Sequence, residues 1–224
     1  MKLQGSETCV ICGKNPATTR DHIPPKGIFP KPRPSDLITV PACRACNKST
    51  SDLDEVFKVF IGFAGGHGPE GERMFKEQTA HTLQHNLRFK GEISNTLRDV
   101  WVKTPKGIIL SKKPAVLLNS KAHDQIIEKT IRGLHFHHTG NVLGEQADIS
   151  VNWHYFLTEK VYKMSMNWMT GVVGNGQFIY KFFTLPEEPL ASVWIFQFFN
   201  KAWSSGTVLP KGKGIRNKGI QPTS

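Results

Sequence analysis

Apolar positions along the chain fall into a few periodic segments. After Asn47 the run KSTSDLDEVFKVFIGF sets Leu53, Val56, Phe57, Phe60 and Ile61 on one face of a helix that Ser51 or Asp52 can cap. The glycine cluster AGGHGPEG should stop that helix. Glu72 to Phe89 reads as a second helix, and His123 to His138 as a third, with Ile126, Ile127, Ile131 and Leu134 on one face. Two short apolar runs around Lys106-Gly107 in the segment 99–118 predict a hairpin. Further on, Gly176 to Leu185 and Val193 to Phe199 are aromatic and β-branched runs separated by the turn PEEP, the pattern of paired strands. The expected class is α+β.

The N-terminal part differs in kind. Pro24, Pro25, Pro30, Pro32 and Pro34 rule out regular helix or a central strand there. With the glycine cluster as boundary, the expected division is a small module over residues 1–64, a larger α+β domain over 65–209 and a Gly-rich basic tail, expected to be disordered, over 210–224. No internal repeat is visible.

Cysteine usage changes the picture most. All four cysteines lie in the first 46 residues, as two Cys-x2-Cys knuckles with 30 residues between Cys12 and Cys43. Four thiolates so paired are a soft, tetrahedral donor set that suits zinc better than two disulfides would suit the chain. Cys9, Cys12, Cys43 and Cys46 would fill the ion's coordination, so the zinc is expected to be structural. A module of this size with this much proline buries little core unaided, and a metal staple offsets that. The N-terminus has no apolar signal-like region, and Val193 to Phe199 is far too short to span a bilayer. Together these predict a cytoplasmic protein without a membrane partner.

Candidate chemistry sits inside the cysteine frame. TTRDHIPPKGIF lies between the knuckles, and CRACNKS carries the second knuckle straight into Asn47. This arrangement resembles the HNH (His-Me finger, ββα-metal) endonucleases, closest to the endonuclease VII-like branch with an Asp-His pair and an asparagine directly after the last cysteine. Small bacterial HNH proteins with DHIPPK, LITVPAC and CN are similar more loosely. The resemblance implies a zinc-stabilised ββα-metal module followed by the larger domain. It implies a single-metal endonuclease, acting on DNA rather than RNA, in which His22 is the general base and Asp21 and Asn47 hold a catalytic Mg²⁺ or Mn²⁺. The chemistry agrees: an imidazole can deprotonate water near neutral pH, and oxygen donors suit a hard cation that offsets charge on phosphate.

Other residues have two readings each. Asp36, in SDLITVPAC, either orients His22 through its other ring nitrogen or serves in a turn. Asp54, seven residues after Asn47, and Glu55, one position round, either supplement the metal site or are exposed helix acids. His135, His137 and His138 read as packing or helix-dipole groups rather than metal ligands. The net charge of +11 makes a polyanion the first partner to consider. Arg20, Lys26, Lys31, Arg33, Arg44 and Lys48 interleave with the site, with Arg44 and Lys48 the preferred phosphate contacts. The main alternative is a non-catalytic zinc-knuckle module that binds nucleic acid or protein; a phage or defence setting and a homodimer stay open.

Overall fold

In the computed structural model, residues 7–49, 51–64, 68–104, 107–115, 120–154 and 156–213 are described. The expected tail therefore lies outside the described residues from residue 214 onward. The chain is a mixture of helix and sheet with the four cysteines clustered near its start.

The first strand, β1 (Thr19–Ile23), pairs antiparallel with β2 (Ile38–Ala42), and His22 stands opposite Thr39. The proline-rich segment forms the connection between them, with a single 3₁₀ turn at Lys26–Ile28. Helix α1 (Arg44–Ser49) starts inside the second knuckle, and α2 (Ser51–Ala64) follows it. The helix expected over 72–89 starts earlier and is broken. Helix α3 (Pro69–Arg73) runs through a π-helical stretch (Met74–Ala80) into α4 (His81–His85), and α5 (Leu87–Thr96) restarts after Asn86. The Asn86 side chain accepts the Phe89 N–H, so it caps the new helix as it ends the old one. The hairpin is present as β3 (Arg98–Lys103) and β4 (Ile109–Ala115).

Helix α6 (Ser120–Thr139) packs against a five-stranded antiparallel sheet of order β5-β9-β8-β7-β6. Its strands are β5 (Ala147–His154), β6 (Met169–Val173), β7 (Phe178–Leu185), β8 (Glu188–Phe198) and β9 (Ala202–Pro210). Helix α7 (Glu159–Met164) lies between β5 and β6. The paired strands expected around PEEP are β7 and β8. Alternation sends Phe178, Tyr180 and Phe182 of β7 and Trp194, Phe196 and Phe198 of β8 inward, and Phe182 stacks on Trp194 at 4.5 Å.

One cluster of buried apolar side chains runs through both sides of the Gly65–Gly68 interval. It joins Ile23, Phe29, Val40 and Phe57 to Ile126, Ile131, Phe178 and Trp194. Helix α6 sits between the β1-β2 hairpin and the sheet, and two glycines let it come close. A Cβ on Gly133 would lie 2.5 Å from the Ile23 side chain, and one on Gly206 of β9 would lie 2.2 Å from Ile131.

Two expected outcomes follow from this packing. Gly133→Ala should lower unfolding stability by about 1–3 kcal/mol through overpacking. Gly91→Ala, in α5 with nothing near its missing Cβ, should raise stability by up to about 1 kcal/mol on helix propensity. Denaturant unfolding of the two variants reads both signs, and a stable Gly133→Ala would contradict the close approach.

Burial pushes His123, His135, His138 and His154 below the ordinary value of 6.5, the charge of a neighbouring histidine adding to this in the first three; His123 alone is partly offset, by Asp124. A depressed histidine leaves the unfolded chain holding more protons, so the stability it contributes is present above the unfolded value and is lost as pH falls below it. Asp54, raised to about 6, acts oppositely, losing its contribution as pH rises through that value. With these four histidines and His22, which burial lowers likewise, against one acid, the denaturation midpoint should fall between about pH 7.5 and about pH 5.5. A level or rising midpoint would refute this assignment.

Candidate functional site

The cysteine cluster is built by two local turns. Asn15 O accepts the Cys9 N–H at 2.8 Å, Cys9 O accepts the Gly13 N–H at 2.8 Å, and Gly13 takes the positive φ of +67° that closes the first knuckle. The second knuckle is the first turn of α1. Its thiols complete a group of four in which all sulfurs lie within 4.8 Å of one another. A zinc tetrahedron with bonds of about 2.3 Å has edges of about 3.8 Å, so the four side chains fit such an ion with little movement. Burial opposes the Cys43 thiolate, yet the Cys46 N–H at 3.4 Å, the Cys46 thiol and the Asn15 amide outweigh it and lower its pKa to about 7. Among the described residues, no other group of three or more histidine, cysteine, aspartate or glutamate side chains converges in this way.

Strand alternation separates the Asp-His pair. Asp21 and Ile23 face inward and are buried, whereas Arg20 and His22 face outward. Asp21 Oδ1 accepts the His22 backbone N–H at 2.8 Å. Its other oxygen, Oδ2, lies 2.8 Å from Lys129 Nζ, and both side chains are buried, 9% and 2% exposed. Asp54 reaches the same ammonium from α2 at 3.8 Å. Burial raises the Asp54 carboxyl to about 6, Lys129 partly offsets this, and Asp21 adds to it.

The spacing of α6 against β1 explains the meeting. Lys129 and Gly133 are one helical turn apart, about 6 Å along the axis. Asp21 and Ile23, two residues apart on a strand, are about 6.6 Å apart. So Lys129 lands on Asp21 where Gly133 lands on Ile23. Lys129 was not among the residues singled out from the sequence. A signal was present, because it interrupts the inward stripe that Ile126 and Gly133 share at helical spacing.

The half-buried His22 ring has no hydrogen-bond partner among the described residues. Burial lowers its pKa first and Lys26 adds to this, Asp21 opposes it, and Arg33 and Lys129 lower it further, so the imidazole is neutral at pH 7. Asn47 ties α1 to β1: its amide nitrogen donates to Thr19 Oγ1 at 3.1 Å and to Arg20 O at 3.2 Å. It thus stands next to the Asp-His pair, with its donor hydrogens committed to the strand.

Several sequence expectations need correction here. Asp36 does not orient His22, because both its oxygens accept the Gly174 N–H, at 3.1 and 3.0 Å, in the β6-β7 turn. Asp54 does not share a helix with Asn47; it belongs to α2 and points to Lys129. Glu55 acts on Lys58 instead, where its charge partly offsets the effect of burial. Asp21 and Asn47 do not offer a divalent ion an open pair of oxygens, since an ammonium already stands on Asp21. Of the basic residues, Arg20, Lys26, Arg44 and Lys48 are all exposed, and Arg20 is held to Thr39 by two hydrogen bonds at 3.0 and 2.9 Å. His138 donates to or accepts from Tyr180 Oη at 2.9 Å and stacks near Phe182, a packing role as expected. No helix among the described residues is long and apolar enough to cross a membrane.

A cleft of about 410 Å³ opens between the first knuckle and α6, lined by Cys12, Lys14, Ser49, Lys129 and Arg132 among others, and His22 is not part of its lining.

Metal analysis of protein purified without chelator should find one zinc per chain. Cys46→Ser should lose most of that zinc and unfold at lower temperature, as structural zinc contributes directly to folding. Full stability of a zinc-free variant would remove the staple from the account.

Compared with protein-family models, with curated proteins and with solved structures, the chain matches none of them, so its functional reading stands on the geometry of its own residues.

Proposed function

We propose that the chain is an HNH-like endonuclease that hydrolyses phosphodiester bonds in nucleic acid, DNA ahead of RNA, with His22 as general base. The observation that carries this reading is the placement of His22: a half-buried imidazole on the outward face of β1, with no hydrogen-bond partner for its ring among the described residues. It stands in a hairpin whose following helix starts inside the cysteine frame and returns Asn47 to the same strand. This order of strand, strand and helix supports the ββα reading that the motif resemblance implies.

In this reading the ring nitrogen of His22 takes a proton from water as the oxygen attacks phosphorus. The P–O bond to one sugar oxygen breaks, and that oxygen leaves as an alcohol after taking a proton from solvent. Arg20, on the same face of β1, and Lys26 and Arg33, whose charges act on the ring, draw the phosphate to it. Zinc in the four thiolates is structural, because four protein ligands leave no position for substrate. Mg²⁺ or Mn²⁺ at Asp21 and Asn47 does not fit the side chains as they stand, with Lys129 on Asp21 and the Asn47 amide nitrogen on Thr19 and Arg20.

A second reading, a non-catalytic zinc-knuckle module that binds nucleic acid or protein, is favoured by one observation. The acid beside the histidine is closed off by Lys129. Supercoiled plasmid, linear duplex, branched DNA and RNA, each incubated with and without added Mg²⁺ or Mn²⁺, separate the two. The nuclease reading expects cleavage of at least one substrate and a loss of about 10²–10⁴-fold in His22→Ala with zinc and fold retained. Binding with no cut on any substrate establishes the second reading in its place.

A further inference from the structure

Asp21 and Asp54 come from different elements, yet each buries one carboxylate oxygen with no hydrogen-bond partner among the described residues, Asp21 Oδ2 and Asp54 Oδ1. Those two oxygens face the same atom. Lys129 Nζ lies 2.8 Å from the first and 3.8 Å from the second. Strand β1, helix α2 and helix α6 thus converge on one positive charge.

Two buried oxygens without hydrogen bonds are strongly unfavourable unless a cation lies between them. As a donor set they would suit a hard divalent ion. The ammonium meets the same requirement from within the chain. Its side chain is only 2% exposed, so it is part of the packed interior and not a surface lysine that happens to reach inward. Gly133, one turn further along α6, lets the helix approach Ile23 closely and so brings the lysine onto Asp21.

We propose that Lys129 is the resident cation of the Asp21–Asp54 site, a tethered ammonium in the place of a divalent ion, so that the native protein takes up no Mg²⁺ or Mn²⁺ there. Asp21 and Asp54 then organise the interior beneath His22 and do not present a metal to phosphate. The bearing of this on cleavage rests on the nuclease reading, but the cation itself is measured without any cleavage.

The test is titration of the zinc-loaded, full-length protein with Mn²⁺, followed by the loss of the free-ion paramagnetic resonance signal. Wild type should show no Mn²⁺ binding that Asp21→Asn abolishes. Lys129→Met, which removes the ammonium and keeps an unbranched stem, should gain a single Mn²⁺ per chain, and Mn²⁺ should raise its melting temperature. That gain should vanish in Lys129→Met/Asp21→Asn and be absent from Lys129→Arg. A wild-type site lost in Asp21→Asn would overturn the proposal, and so would a folded Lys129→Met that binds no Mn²⁺. If Lys129→Met does not fold, the comparison of wild type with Asp21→Asn still decides. Absence of nuclease activity would leave every one of these readings in force.

Discussion

A carboxylate taken out of water has to meet a positive charge, and in this chain the meeting of Asp21 with Lys129 is the constraint on which the other contacts depend. It joins the proline-rich, cysteine-bound N-terminal segment to the long helix of the second half. Once Lys129 is on Asp21, Gly133 is on Ile23, and the opposite side of α6 carries Ile131 to Gly206 of β9. The hairpin, the helix and the sheet are thereby fixed in one stack with one core. Breaking a buried pair of this kind by removing one partner typically costs about 3–5 kcal/mol, a large part of the stability of an ordinary domain.

The four cysteines solve a different problem. Between them the chain has seven prolines, which give up backbone donors, so a metal staple adds an anchor to the few backbone hydrogen bonds that hold the first knuckle. Clustering four sulfurs fixes the start of α1 relative to β1, and Asn47 makes that relation exact to within a hydrogen bond on Arg20 O. The cysteines set the hairpin against its helix; the ion pair sets both against the rest of the protein.

What the sequence made legible was local. Cys-x2-Cys spacing carries its geometry within a few residues, and the apolar periodicity of α2 and α6 and the aromatic runs of β7 and β8 are equally self-contained. Strand β9 was hidden because its inward positions are Ala202, Ser204 and Gly206, small or polar residues chosen to fit beneath α6: Ser204 bonds His123 at 2.9 Å, and Gly206 makes room for Ile131. β5, by contrast, carried a strand signal that the sequence reading missed: Ala147, Ile149, Val151 and Trp153 alternate strictly with Asp148, Ser150, Asn152 and His154. At the candidate site the motif placed His22 and Asn47 beside one another on β1 and α1, but the partner of Asp21 lies in another element far along the chain. No spacing rule reaches it. Asp36 was misplaced for the same reason, since its partner is a backbone N–H in the β6-β7 turn.

Buried ion pairs are often no more stabilising than apolar groups of equal volume, so energy alone does not explain an aspartate and a lysine here. Register does. In a two-residue repeat, moving β1 by one position would turn every side chain to the opposite face. Ile23 and apolar neighbours in β2 would tolerate several small displacements against an apolar helix, but a charged Asp21 has only one place to go. With Asp21 drawn inward to Lys129, His22 is forced outward, beside Lys26 and Arg33 and away from the acid cluster. The acid next to the histidine thus shapes the site by determining which way the imidazole faces, and it does so whether or not a metal ever binds.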